Sequence, residues 1–381
     1  MPWSQFTLPG EIDGSGPGTS VRVSQNGTEI CLRFMNAVRG YERKSEMRTV
    51  LCIMICAMLL LMTSCTAEKQ AYTSTSVTDA AASAAKYAGF AEAGELSVLI
   101  PGLKEGFVPQ GITWLPGTDT LLFAGYSGGE DNSALLEVNR ETGELVRQVR
   151  LENVDGTKYD GHAGGVCATE RDIYVSNAHK LYRLSMETYE KLAASAVCAF
   201  EEEIPVPVNA SYCSYTDGIL WVGEFQYGGD YPTDASHRVS TADGLQRAWT
   251  CGYRMVEGQD FSAPDIILSM TERIQGMTVK SGKIYLSQSY GRKNDSVLYR
   301  YADVLASDPD ETAEVNGRTV PIWILDSRTR EAALMSPPMT ECLCTIGDEI
   351  YVVFESGAKT YMKPSNPSVN PMDRVYRLKD F

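Results

Sequence analysis

Polar side chains recur at matched positions in five short stretches of this 381-residue sequence. Val108-Pro-Gln-Gly-Ile112, His162-Ala-Gly-Gly-Val166, Asn209-Ala-Ser-Tyr-Cys213, Arg273-Ile-Gln-Gly-Met277 and Met339-Thr-Glu-Cys-Leu343 align with one another. They supply Gln110, His162, Asn209, Arg273, Gln275 and Glu341. A second apolar run follows each stretch, and beyond its far end stand Tyr126, Asn177, Glu224, Gln288, Tyr290 and Glu355. Amides, carboxylates, an imidazole and a guanidinium, set among the Tyr-rich segments 226–231 and 289–292, suit hydrogen bonding and ring stacking to a bound molecule. Of three histidines only His162 sits in a glycine-rich stretch, where little bulk is available to bury it. Gln110 and Gln275 recur in one motif, which favours an architectural part for them. No serine is read as a nucleophile on a strained turn, and no phosphate-cradling Gly-x-x-x-x-Gly-Lys occurs. The expectation is a binding surface rather than an enzyme.

The elements that must position these groups are short strands. Residues 161–184 hold one unit in miniature: a glycine-rich lead-in, strand 166–168, a charged turn, strand 173–176, a brief link and strand 181–184. Runs of this length, rich in β-branched and aromatic residues and broken by turn residues, predict an antiparallel meander. Five such units can be aligned, and a fourth strand, clearest at 144–151, follows in most. Four antiparallel strands repeated around an axis make a β-propeller, an all-β fold. The last unit runs out after three strands, so strand 95–100 is expected to complete it and close the ring. Residues 95–381 allow about 57 residues per blade against about 40–50 in ordinary propeller repeats. Five blades are favoured, with six the alternative. In such a meander the loops leading into the inner strands and those leaving the second strands share one end, so the polar positions converge on one mouth of the central channel.

Composition excludes some partners. A net charge of −15 argues against nucleic acid, which requires a basic stripe to neutralise phosphates, and against electrostatic docking on anionic lipid. A membrane link is instead written near the N-terminus. Arg48 precedes the apolar run 50–62, which is followed by Thr63, Ser64 and Cys65. A basic start, a short apolar core and small residues before a cleavage point predict a signal peptide over 47–64. Cys65 after Met-Thr-Ser resembles the lipobox of bacterial lipoproteins, in which the cysteine is acylated and anchors the mature chain. That resemblance implies an exported protein on the outer face of the cell membrane, or in the periplasm where an outer membrane exists. Residues 1–46 are expected to lie upstream of the true start, at Met35 or Met47, or to be disordered. Residues 65–94 read as a tether holding one short helix, and 95–381 as the propeller.

Six cysteines remain beyond Cys65. Most stand where strands want a small apolar residue; an exported compartment permits disulfides, and Cys213 with Cys251 is the pair to test. None of the spacings makes a zinc site.

Ile173-Tyr-Val-Ser-Asn177 is similar to the motif of YVTN-type propellers. The stretches at Pro109-Gln-Gly111, Gly161-His-Ala-Gly-Gly165 and Ile274-Gln-Gly276 resemble those of secreted propeller lipoproteins and of the gluconolactonase-like group. The resemblance covers residues 95–381 and implies the propeller fold. The gluconolactonase-like group uses carboxylate and amide oxygens around a divalent ion. Its pattern implies Glu224 and Asn209, with Asn177 and Glu341, as oxygen ligands for Ca²⁺, although the group's positions do not match in register here. Three functions follow as expectations: a membrane-anchored propeller binding a small molecule, glycan, peptide or partner protein at the mouth; a Ca²⁺-dependent hydrolase; and a structural or assembly lipoprotein.

Overall fold

A computed structural model describes residues 85–127, 132–379 and 381. The start-site, signal-peptide and Cys65 expectations, and the tether as far as residue 84, lie outside the described residues.

The described chain forms five antiparallel blades. β1 (Gly94–Leu99) is set aside at first. Blade 1 follows as β2 (Phe107–Leu115), β3 (Thr120–Ser127), β4 (Ala134–Asn139) and β5 (Leu145–Glu152). Blade 2 comprises β6 (Gly165–Ala168), β7 (Asp172–Asn177), β8 (Lys180–Ser185) and β10 (Glu202–Pro205), with β9 (Ser195–Ala199) inserted before its last strand. Blade 3 has β11 (Ala210–Thr216) and β12 (Ile219–Glu224), then the hairpin β13 (Val239–Thr241) and β14 (Gly244–Gln246), then β15 (Ala248–Arg254) and β16 (Ile266–Met270). Blade 4 runs β17 (Ile274–Lys280), β18 (Lys283–Gln288) and β19 (Ser296–Tyr301), inserts β20 (Glu311–Val315) and β21 (Arg318–Ile324), and ends with β22 (Arg330–Ser336). Blade 5 has β23 (Thr340–Ile346), β24 (Glu349–Phe354) and β25 (Arg374–Leu378).

β1 supplies the missing strand of blade 5. It pairs antiparallel with β25, setting Glu95 opposite Arg377 and Leu96 opposite Tyr376, and the Arg377 guanidinium lies 2.6 Å from the Glu95 carboxylate. The ring is thus closed by both ends of the propeller sequence, which removes the open seam. The helix expected in the tether is present as α1 (Ala88–Ala93), but it is docked rather than free. Phe90 is fully buried and its ring lies 4.4 Å from that of Tyr376. The Tyr87 hydroxyl hydrogen-bonds Asp295 at 2.6 Å.

The surplus length per blade has a specific destination. β9, from blade 2, adds parallel to β5 on the outer edge of blade 1. The β20–β21 hairpin, from blade 4, adds to the outer edge of blade 3 through the parallel β16–β21 pair. Each insertion covers the exposed edge of the preceding blade, where unpaired N–H and C=O groups would otherwise invite association.

Apolar residues fill the spaces between blades. Leu121 and Phe123 face the core shared with blade 5, while Leu122 and Ala124 face the core shared with blade 2. Likewise Ile173 and Val175 pack toward blade 1 and Tyr174 toward blade 3. Because both faces are covered, these strands read as continuous apolar runs rather than alternating ones. The inner strands approach most closely at their glycines. A Cβ on Gly111 would lie 2.5 Å from the Val166 amide nitrogen, on Gly165 2.4 Å from that of Cys213, and on Gly276 2.6 Å from the Cys342 Cα. The Gln-Gly and Gly-Gly pairs of the repeat are therefore contacts between successive blades.

The six cysteines among the described residues are free thiols. Cys213 and Cys251 both stand opposite Val222, one on each side of β12. Two strand spacings, about 10 Å, separate them, beyond the roughly 7 Å that a disulfide spans.

Candidate functional site

The inner strands place side chains at the mouth by bulging. The pairing register slips at Gln110 in β2, Ser211 in β11, Gln275 in β17 and Glu341–Cys342 in β23. A bulge adds an unpaired residue and re-aims its side chain, and the slips fall at one aligned position of the repeat. Just before the inner strands, Ala163, Arg273 and Met339 have positive φ values of 50°, 63° and 62°, a conformation costly for residues other than glycine. Backbone hydrogen bonds hold two of these turns: the Ser289 N–H donates to the Arg273 carbonyl at 3.0 Å and the Glu355 N–H to the Met339 carbonyl at 3.2 Å.

Two bulged glutamines meet a pair of carboxyl groups. Gln110 Nε2 donates to Glu355 Oε2 at 2.9 Å, and Gln275 Nε2 to Glu341 Oε1 at 3.4 Å. Glu341 and Glu355 are hydrogen-bonded to each other, and the Tyr361 hydroxyl also reaches Glu355. Burial raises the Glu341 carboxyl well above its usual range, and the neighbouring Glu355 charge adds to the effect. Burial likewise pushes Glu355 up to about 7, against the opposing hydrogen bonds from Tyr361 and Gln110. Two adjacent carboxylates out of water cannot both ionise cheaply, so the pair retains a proton at neutral pH.

Around this layer runs a belt of rings contributed by all five blades. In blade 3 Phe225 meets Tyr231 edge-on at 5.2 Å. Tyr290 of blade 4 lies 4.2 Å from Tyr227 and 6.0 Å from Phe225. Arg292, in the same loop as Tyr290, sits 4.8 Å over the Tyr361 ring of blade 5. The Tyr361 hydroxyl hydrogen-bonds that of Tyr126 in blade 1 at 2.8 Å, and Tyr126 packs against His162 of blade 2 at 4.6 Å. Burial, then the Glu355 charge, raises the Tyr126 phenol to about 12. His162 is exposed at the mouth, yet the protein around its ring lowers the imidazole pKa by desolvation.

Other polar residues singled out in the sequence have local partners. Asn177 Oδ1 accepts the His162 N–H at 3.1 Å. Gln288 donates to the Glu272 carbonyl at 2.8 Å and accepts the Tyr299 hydroxyl at 2.9 Å. Arg273 pairs with Glu272 at 2.8 Å. Glu224 is buried, and its oxygens accept three N–H groups: the Asn209 amide at 3.2 Å, the Trp249 amide at 3.1 Å and His237 Nδ1 at 2.9 Å. The His237 ring stacks on Trp249 at 3.9 Å. Glu224 thereby fastens the insertion between β12 and β15. These residues do not fit a Ca²⁺ centre: Glu224 is committed to nitrogen donors, and Asn209 reaches it through its main chain. Among the described residues no group of three or more His, Cys, Asp and Glu is placed to hold a metal.

One serine has the spacing of a nucleophile elbow, in Gly125-Tyr-Ser-Gly-Gly129. Ser127 ends the antiparallel strand β3, and the next described element is strand β4, whereas such a nucleophile stands between a strand and a helix.

Sequence reasoning did not single out Tyr361 or the His237–Trp249 pair, and it reached Arg292 only as the end of the Tyr-rich segment 289–292. Tyr361 lies in a single 3-10 turn, Lys359–Tyr361, between β24 and β25, and His237 lies in the insertion between β12 and β15, both outside the repeat.

No family model and no curated protein sequence matches the chain. Among solved structures it is similar to the GH43_1 enzyme from Xanthomonas citri complexed with xylose (11% identity, TM-score 0.41, covering 77% of this chain and 92% of that one). It is also similar to BamB from Moraxella catarrhalis (10%, 0.33, covering 75% and 88%). Against Kuenenia stuttgartiensis hydrazine synthase (11%, 0.32) 65% of this chain matches and spans only 55% of that chain's length. These similarities carry no inference about activity, and the propeller assignment rests on the chain's own strand pairing.

Proposed function

We propose that the protein is an exported, lipid-anchored β-propeller that binds a glycan at the mouth of its channel. The observation that carries the binding reading is the belt of rings around the bulged amides and the proton-sharing carboxyl pair. Tyrosine faces stack on pyranose rings while planar amides and carboxyls read hydroxyl groups. Tyr290 and Tyr227 form the most developed platform, and Tyr231 remains 47% exposed beside it. The carboxyl pair favours binding over glycoside hydrolysis: Glu341 and Glu355 touch, whereas glycosidase carboxyls stand about 5–9.5 Å apart to admit a sugar or a water. Anchoring rests on the signal-like segment 47–64 and on Cys65.

The test is titration of the purified protein against a panel of neutral glycans, following tyrosine and tryptophan fluorescence. Tyr290→Ala should weaken the best ligand about tenfold, an effect of roughly 1.4 kcal/mol. A wild type that binds none of the panel, or a Tyr290→Ala variant that binds as well as wild type, overturns the reading. For the anchor, Cys65→Ala should move the protein from the membrane fraction to the soluble one and abolish labelling by a fatty-acid analogue.

A further inference from the structure

Beside the Tyr227–Tyr290 platform, the cleft between blades 3 and 4 encloses about 220 Å³. It is lined by three guanidinium groups, those of Arg247, Arg273 and Arg330, and by Tyr299 and Tyr301. Two carboxylates also line it, and both are occupied. Glu272 holds Arg273 at 2.8 Å; Asp243 accepts the Ser327 N–H at 2.8 Å as well as the Ser327 hydroxyl. The cleft therefore carries more positive than negative charge in a protein whose net charge is −15. Arg330 is exposed and rests over the Tyr299 ring at 5.5 Å. Burial raises the Tyr299 phenol, and the charges of both Arg330 and Arg273 act against that rise.

The deciding observation is the surplus of guanidinium groups facing the cleft: Arg247 and Arg330 are exposed, and Arg273, whose side chain is 35% exposed and paired with Glu272, keeps its Nε without a hydrogen-bond partner. An orphaned N–H on a charged group costs more than a neutral one, and here it belongs to a guanidinium that also lies 5.6 Å from the Tyr227 ring. The arginine fork matches a planar carboxylate. We infer that this cleft is a carboxylate subsite, and that the glycan bound on the Tyr227–Tyr290 platform is an acidic one whose uronate group reaches Arg273 and Arg330. The inference rests on the glycan reading above and adds the charge of the ligand. The overall negative field disfavours a densely charged polyanion, which leaves an isolated carboxylate per sugar unit as the fitting charge.

Titration calorimetry on the full chain with trigalacturonate and with its fully methyl-esterified form isolates the charge, since the two share rings and hydroxyls. Wild type should bind the acid form at least tenfold more tightly, with the difference shrinking as salt screens it. Arg330→Gln should remove most of that preference and leave affinity for the ester unchanged; Arg330→Lys should restore part of it. Arg330 is exposed, so its replacement leaves the fold intact. Equal affinity of wild type for the two forms, or a preference untouched by Arg330→Gln, overturns the carboxylate subsite and leaves the platform standing. Failure of the acid form to bind wild type also overturns it, while the neutral-glycan panel decides the platform independently. Tyr227→Ala and Tyr290→Ala variants that bind both forms normally refute the platform itself.

Discussion

Replacing Glu341 by glutamine should stabilise the protein, and only above the pH at which its neighbour begins to ionise. Glu355 titrates near 4.5 in an unfolded chain and is pushed up to about 7 in the fold. A carboxyl whose folded pKa is raised binds its proton more tightly in the native state. Its contribution is therefore complete below pH 4.5, is lost as pH rises toward 7, and stays lost above. A shift from 4.5 to about 7 corresponds to about 3 kcal/mol at pH 8, and almost nothing at pH 4. The substituted side chain carries no charge and still offers an amide to Glu355; the burial that raises Glu355 remains, and what disappears is the second buried acid, whose own carboxyl is raised by burial and by the Glu355 charge. We expect a gain of roughly 1–3 kcal/mol at pH 8. For a domain of this size that is a rise in Tm of about 2–6 °C. Paired melts of wild type and Glu341→Gln, by circular dichroism at pH 4 and pH 8 and matched ionic strength, cancel the titration of every other group. A difference in Tm that is the same at both pH values would refute the shared-proton argument.

Three further outcomes follow. Gly165→Ala and Gly276→Ala put a methyl group 2.4 Å and 2.6 Å from the backbone of the next blade, so each should cost at least about 2 kcal/mol in urea unfolding; Gly117→Ala, with open space around it, should cost little. Glu224→Ala strands two buried amide N–H groups and His237, and should destabilise by about 3 kcal/mol, whereas EDTA or added Ca²⁺ should leave the wild-type melting curve unmoved. The thiols of Cys213 and Cys251 should both be alkylated in denaturant without reductant, since two strand spacings keep them apart.

The architecture was legible because its signals repeat. Apolar runs such as Leu121-Leu-Phe-Ala124 and Ile173-Tyr-Val-Ser176 are forced by burial on both faces of a blade, and the unpaired strand near Glu95 could only complete the last blade. The convergence of Gln110, Gln275 and Glu341 was equally legible, because a bulge at one aligned position brings them to one mouth. Partner choice was not legible. Glu224 and Glu341 look alike in sequence, each beside a strand end, yet one meets three N–H donors and the other meets a second carboxyl. The difference comes from an insertion that delivers His237 and Trp249, and periodicity says nothing about where an insertion folds back. The surplus length left six blades open as the alternative to the favoured five; β9 and the β20–β21 hairpin take it up on the outer edges of blades 1 and 3, and the count is five.

Closure of the ring and the polar layer at the mouth fall to neighbouring residues of the same repeat unit. At the inner-strand glycines any side chain collides with the next blade, so Gly111, Gly165 and Gly276 answer to closure of the ring. At the aligned bulge positions Gln110, Gln275 and Glu341 leave the ladder, and their side chains bond one another and Glu355 across blades. The loops beyond the second strands hold Phe225, Tyr227, Tyr231, Tyr290 and Tyr361 of the belt, while Tyr126 lies within β3 and His162 precedes β6. The carboxyl pair is the costly part of this layer: burying Glu355 costs about 3 kcal/mol at neutral to alkaline pH, the second acid beside it adds to that cost, and a ring closed by β1 and covered at its edges tolerates the loss.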